Sequence, residues 1–179
     1  MFYHFIVDQL RKIIRNVPDF PKPGIQFKDI TTLLQEPEIG LQIVKEFSSR
    51  LQPFEVDTII GIESRGFLFG YALALEMNVP FVPVRKSGKL PWKTIGIEYA
   101  LEYGTAKIEI HEDALRPGMK VMIHDDLLAT GGTAEAAARL VKMSGCDVSC
   151  FSFVVEIEAL GGKNVLKNYS QNIISLVNY

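Results

Sequence analysis

The segment Val121–Thr133, VMIHDDLLATGGT, constrains what this chain can fold into more than any other. Its first residues read as a buried strand, two acids end that strand, and a Thr-Gly-Gly-Thr loop follows. Behind the loop, AEAAARLVKMSG has the alanine content and apolar spacing of a helix, stopped by Gly145. Strand, small-residue loop and helix in direct succession are the building block of a mostly parallel sheet covered by helices. Glycines let backbone N–H groups approach a phosphate closely, and a helix start adds unpaired donors and partial positive charge. Thr130 and Thr133 offer hydroxyl donors, while Asp125 and Asp126 suit the vicinal hydroxyls of a sugar or the neighbourhood of Mg2+. In isolation the acid pair fits a solvated turn and TGGT fits a helix cap; the complete order points to an anion at a strand's carboxyl end. The chain has neither a GK[ST] phosphate loop nor a GxGxxG fingerprint.

The rest of the chain repeats the pattern. Residues 2–15 place Phe2, Phe5, Ile6, Leu10, Ile13 and Ile14 at helical spacing. VPDFPKPGIQFKDI, with three prolines and a glycine within Pro18–Gly24, is expected to be an ordered loop rather than a helix or strand. Pro37 opens a second helix with Ile39, Leu41, Ile43, Val44, Phe47 and Leu51 as apolar positions. VDTIIGI is a short apolar strand, ESRG leads into the buried helix FLFGYALALEM, and VPFVPVRK is another strand. Thr94–Glu98 and Lys107–Ile110 alternate as two half-solvated strands joined through YALEYGT. VMIHDD and VSCFSFVVEI are further buried strands, and IISLV is a candidate last one.

Composition excludes several classes. Nineteen Lys plus Arg against twenty-one Asp plus Glu leave a net charge of −2, which argues against nucleic acid as the main partner. Two cysteines, Cys146 and Cys150, without CxxC spacing, suggest a reducing compartment and no structural zinc. From Gly66 to Val84 only Glu76 is charged, long enough to span a bilayer, but Asn78, Pro80 and Pro83 break the stretch. A helix ending near Asn78 and a short strand explain it better, and a soluble cytoplasmic protein without a membrane partner is expected.

VMIHDDLLATGGT resembles the phosphoribosyl-pyrophosphate (PRPP) binding motif of type I phosphoribosyltransferases, with His124 where that family usually has an apolar residue. DFPKPGIQFKDIT, GIESRGFLFG, VRKSGKLP and ALEYGTAKIEIHEDAL are similar, in the same order, to the adenine-specific branch of the family, over about Pro18 to Glu156. The resemblance implies an α/β type I phosphoribosyltransferase fold: a central, mostly parallel sheet flanked by helices, with a small hood. It implies one domain over residues 1–179, the hood coming from about 16–34 and the C-terminal region. The implied reaction is Mg2+-dependent transfer of the phosphoribosyl group from PRPP to N9 of adenine, giving AMP and pyrophosphate, in a homodimer with the basic loop near the interface.

Site residues follow by the same resemblance. Asp125, Asp126, Ala129, Thr130, Gly131, Gly132 and Thr133 would hold the ribose and 5′-phosphate. The loop of Glu63, Ser64 and Arg65, with Arg85, Lys86 and Lys89, would hold pyrophosphate, a dense anion that needs several cations or N–H donors. Mg2+ would arrive with PRPP and water rather than on side chains of its own. The peptide before Ser64 is often cis in relatives. Phe27 would stack on one face of adenine and Ile157 pack on the other, with the main chain of Gln26 and Lys28 reading the base edge; as plain core residues both fit equally well. Glu102 would manage the proton at N7, and Tyr103 would close over ribose and pyrophosphate; a surface acid in a hairpin turn is the plain alternative for Glu102. Trp92 and Lys93 stand where relatives commonly have a glycine, and Tyr71 and Ala72 depart from the usual small-residue run. Two rival functions stay open at this point: a phosphoribosyltransferase for a 6-oxopurine, which would need a lysine donor at the base, and a non-catalytic PRPP-sensing regulator.

Overall fold

The computed structural model describes residues 2–100 and 104–179. Helix α1 (Phe2–Ile13) is followed by a hairpin of β1 (Arg15–Pro18) and β2 (Gln26–Asp29), a 3-10 turn, and α2 (Pro37–Leu51). Next come β3 (Thr58–Ile62), α3 (Gly66–Met77), β4 (Phe81–Lys86), β5 (Thr94–Ala100) and β6 (Thr105–His111). The second half runs β7 (Lys120–Leu128), α4 (Gly132–Met143), β8 (Asp147–Glu156), the short α5 (Gly162–Leu166) and β9 (Ile173–Asn178).

Among the described residues, seven strands form one sheet in the order β5-β6-β4-β3-β7-β8-β9. The pairings from β4 through β3, β7 and β8 to β9 are parallel, and β6 pairs antiparallel with both β4 and β5. β3 is buried at every position because helices cover both faces of the sheet. Period-two alternation divides its side chains. Ile59 and Met122 join Leu10, Ile43, Phe47 and Leu73 on one face, while Ile60 and Ile123 join Ala137, Leu140 and Val141 on the other. α3 ends at Asn78, which adopts the left-handed conformation that stops a helix. Among the described residues no helix is long and apolar enough to cross a membrane.

Sheet order explains where a ligand can enter. From β3 the chain passes through α3 to β4 on one side, and later returns to β7 on the other, so the carboxyl ends of β3 and β7 diverge into a crevice. Gly66 brings the start of α3 against β7: a Cβ there would stand 2.9 Å from the His124 carbonyl oxygen and 3.0 Å from Asp125 Oδ1.

Three expectations are corrected. The acid pair does not end its strand: β7 runs on through Leu127 and Leu128, which pair with Val155 and Glu156 of β8. The Pro-rich segment contains strands: Arg15, Asn16 and Val17 keep the N–H groups a ladder needs, Pro18 ends β1, and Pro21 and Pro23 fall in the connection. The Asn16 side-chain amide donates to Gln26 Oε1 at 3.0 Å across this hairpin. The last strand, assigned to the hood, is instead the edge of the main sheet, because Ile173–Asn178 pairs parallel with β8. It still meets the hood through Tyr179, whose ring centroid lies 3.8 Å from Lys28 Nζ.

Candidate active site

β7 carries its two acids to the sheet's carboxyl edge, where the chain turns at Ala129–Gly131 into α4. Gly131 has φ +87°, open to glycine and strained for other residues. A Cβ on it would also lie 2.9 Å from the carbonyl oxygen of Gly162, so the start of α5 packs directly under the loop. The Glu135 amide already donates to the Gly131 carbonyl at 2.8 Å, closing the first helical turn and leaving the preceding amides of the helix start for a ligand. A cavity of about 90 Å³ lies inside this loop, bordered by Asp125, Thr130, Gly131, Gly132 and Thr133. Thr130 is exposed, so the loop is open to solvent.

A larger cleft of about 490 Å³ adjoins it, reaching from Ser64 and Arg65 after β3 to Asp125, Asp126 and Thr133 after β7. Glu63, Lys86 and Ala129 also line this cleft. The Glu63–Ser64 peptide is cis. Asp126 is buried, and its Oδ2 accepts from Arg65 Nε at 2.5 Å. Asp125 Oδ1 accepts from the Asp126 amide at 2.8 Å. Burial raises the Asp125 pKa well above the ordinary carboxyl value, and the adjacent Asp126 carboxylate pushes the same way.

The basic cluster is held by an acid. Glu63 Oε1 pairs with Lys89 Nζ at 2.5 Å, and Oε2 accepts from Arg85 Nε at 3.2 Å and from the Lys86 amide at 3.0 Å. Burial acts to raise the Glu63 pKa, but the hydrogen bonds from Lys89, the Lys86 amide and Arg85 outweigh it and hold the pKa below its ordinary value. Arg85 and Lys89 therefore stand beside the cleft rather than in its lining.

Phe27, half-buried on β2, reaches the site through Arg65, whose guanidinium carbon is 5.4 Å from the Phe27 ring centroid. Gln26 is exposed, Lys28 is half-buried against Tyr179, and Ile157 is half-buried beside the helical face that packs α1 and α2. These four do not border the cleft. Glu102 and Tyr103 lie outside the described residues.

Two residues escaped the sequence reading. Tyr99 lines the cleft, and the Thr133 hydroxyl donates to its hydroxyl at 3.4 Å. The alternation Ile95, Ile97, Tyr99 on β5 carried that signal, since all three pack on the α4 side of the sheet. Glu109 accepts from the Ser87 hydroxyl at 2.6 Å, and that bond, with Lys107 and the Gly88 amide, lowers its pKa to about 2. Its place in an alternating strand carried no such signal.

His124 borders neither cavity. It is fully buried between β8 and α2, with Nδ1 2.8 Å from Ser152 Oγ and its ring edge-on to Phe47. Burial lowers its pKa to about 3.

Residues 29–177 match the family model of the phosphoribosyl transferase domain. The chain is 48% identical over 170 residues to an adenine phosphoribosyltransferase of Cytophaga hutchinsonii, covering 95% of this chain and 94% of the relative. Its structure is similar to that of adenine phosphoribosyltransferase from Thermoanaerobacter pseudethanolicus (TM-score 0.93, 46% identity, 97% and 99% of the two chains). It is also similar to the Saccharomyces cerevisiae enzyme, solved with an imino-altritol bisphosphate and adenine (TM-score 0.91, 36% identity, 97% and 99%).

Proposed function

The chain belongs to the phosphoribosyl transferase family, and from its adenine phosphoribosyltransferase relatives we infer that it serves purine salvage, joining adenine to PRPP to give AMP and pyrophosphate. The observation that carries this reading is the adjoining pair of cavities at the carboxyl end of β7, one shaped by the Thr130–Thr133 loop and the other bordered by the acid pair and Arg65.

We propose that the amides of Gly131, Gly132 and Thr133 and the hydroxyls of Thr130 and Thr133 bind the 5′-phosphate, with Ala129 shaping the loop. Asp125 and Asp126 accept from the ribose 2- and 3-hydroxyls. Ser64 and Arg65, the main chain at Glu63, and the cations Arg85, Lys86 and Lys89 receive pyrophosphate. Adenine lies between Phe27 and Ile157, its edge read by the main chain of Gln26 and Lys28; the 5.4 Å approach of Arg65 to Phe27 supports a base site next to the pyrophosphate site.

No side chain has to act as nucleophile. As the glycosidic bond breaks, C1 of the ribose gains oxocarbenium character, and holding both reactants in line supplies much of the rate. Glu102 takes up the proton shift at N7 as N9 bonds to C1, and Tyr103 closes over ribose and pyrophosphate. Asp125 and Asp126 are hard oxygen donors beside the cleft, the donor type Mg2+ prefers. Bound with PRPP, Mg2+ would neutralise part of the leaving group's charge.

A homodimer is supported by apolar surface. Leu68, Tyr71 and Leu75 recur on one exposed face of α3, and Trp92 stands exposed beside the basic turn. A cytoplasmic location is supported by the free thiols of Cys146 and Cys150. The deciding assay mixes the protein with PRPP, Mg2+ and a purine. AMP and pyrophosphate from adenine, with little product from hypoxanthine, is the expected result; turnover of hypoxanthine alone, or PRPP binding with no turnover, overturns it.

A further inference from the structure

Two carboxylates grip the turn between β4 and β5, and they grip different parts of it. Glu109 holds the start of the turn: it accepts from the Ser87 hydroxyl at 2.6 Å and the Gly88 amide at 3.1 Å, and pairs with Lys107 at 3.0 Å. Glu63 reaches the cations, pairing with Lys89 at 2.5 Å and accepting from Arg85 Nε at 3.2 Å, and it also accepts from the Lys86 amide at 3.0 Å, a bond that an amide oxygen in its place can keep. Both side chains are largely withdrawn from solvent, with 9% and 7% exposure for Glu63 and Glu109. Glu109 supplies the bonds to Ser87 and Gly88 by itself, so the turn keeps that anchor when the Glu63 charge is removed. What Glu63 adds is a negative charge where the pyrophosphate-binding cations converge.

We propose that Glu63 is a positioning residue acting through Arg85 and Lys89 as an internal counter-anion. It occupies these cations while the site is empty and yields them to pyrophosphate. By its own charge it then limits how tightly the departing pyrophosphate is retained. The inference rests on the assignment of Arg85, Lys86 and Lys89 to pyrophosphate made above. Its physical basis is direct: a cation already paired attracts an incoming anion less, and a fixed carboxylate beside that anion repels it. In a partly solvated cleft the effect amounts to roughly a three- to tenfold change in affinity.

The test titrates wild type and Glu63→Gln with inorganic pyrophosphate by calorimetry, at fixed Mg2+ and two salt concentrations. Product inhibition by pyrophosphate is followed in the AMP-forming assay alongside. The amide keeps an acceptor oxygen but loses the charge. Pyrophosphate is expected to bind roughly three- to tenfold tighter to Glu63→Gln and to depend more steeply on salt, because two more cations are free to pair with it. It should also inhibit at correspondingly lower concentration. If Glu63 merely braced the turn, the variant would bind more weakly; that result, or unchanged affinity, overturns the proposal. An Arg85→Ala, Lys89→Ala double variant separates the two levels. Unchanged pyrophosphate affinity there sinks the assignment of the cations, whereas weakened affinity there together with weakened affinity in Glu63→Gln sinks the Glu63 inference alone. Should the amide variant not fold, Glu63→Asp, whose shorter carboxylate cannot reach both cations, is expected to tighten binding by a smaller factor, and weakening overturns the proposal equally.

Discussion

Arg65 is held by Asp126. Its Nε lies 2.5 Å from Asp126 Oδ2, and the carbon of the same guanidinium stands 5.4 Å from the ring centroid of Phe27. One cation therefore joins the acid pair at the end of β7 to the aromatic ring of the hood. The acid is buried and the arginine partly exposed, so the carboxylate is the fixed partner.

Removing that anchor is expected to act on PRPP more than on the chemical step. In Asp126→Asn the amide keeps the shape but pairs weakly with Arg65 and accepts less well from a ribose hydroxyl. A charge-assisted hydrogen bond contributes about 1.5–3 kcal/mol, so KM for PRPP should rise by roughly one to two orders of magnitude. Initial rates at saturating adenine measure this, and an unchanged KM would remove Asp126 from the PRPP site.

Gly131→Ala tests the phosphate loop. An alanine there must hold φ +87° and place its Cβ 2.9 Å from the Gly162 carbonyl oxygen. The left-handed conformation alone costs about 1–2 kcal/mol, and the contact forces α5 or the loop to move. The variant should unfold at lower temperature and lose PRPP affinity, read by thermal melts with and without PRPP. A variant that melts and binds like wild type would show that the loop tolerates the side chain.

Glu102→Gln separates chemistry from binding. General acid–base catalysis contributes roughly 100-fold or more, so kcat should fall by about that factor while PRPP affinity stays within about twofold. Single-turnover rates and PRPP titration give the two quantities. If kcat is retained, the proton passes elsewhere.

His124 makes stability depend on pH. Its folded pKa of about 3 lies below the ordinary value of 6.5, because burial disfavours the charged ring. The unfolded chain therefore takes up a proton first as pH falls below 6.5, and stability is lost progressively until pH reaches the folded value near 3. Replacing His124 with Leu, which cannot titrate, should flatten this dependence. Between pH 7 and pH 4.5 wild type should lose about 2.5 kcal/mol more than His124→Leu in urea unfolding, and equal losses would show that the ring is not buried neutral.

Several parts of this architecture were legible along the chain because their causes are local. The order in Val121–Thr133 identifies strand, acids and helix start from residue spacing, but it ends the strand two residues early, since Leu127 and Leu128 still pair with β8, and it does not show that Gly131 is pressed against Gly162. The stop at Asn78 and the β5–β6 hairpin also follow from neighbouring residues. The Pro18–Gly24 segment misled for a local reason too, since proline density hid the short ladder on either side.

Local pattern places most of the strands and helices and the glycine loop after β7, because periodicity, glycines and helix starts act over a few residues and need no knowledge of the fold. Partnership came from the fold alone. Phe27 meets Arg65, Arg65 meets Asp126, Glu63 meets Lys89, and β9 closes the main sheet beside β8 rather than joining the hood. Those pairs are separated by tens of residues, and the order in which strands assemble, not any local preference, brings their charges together.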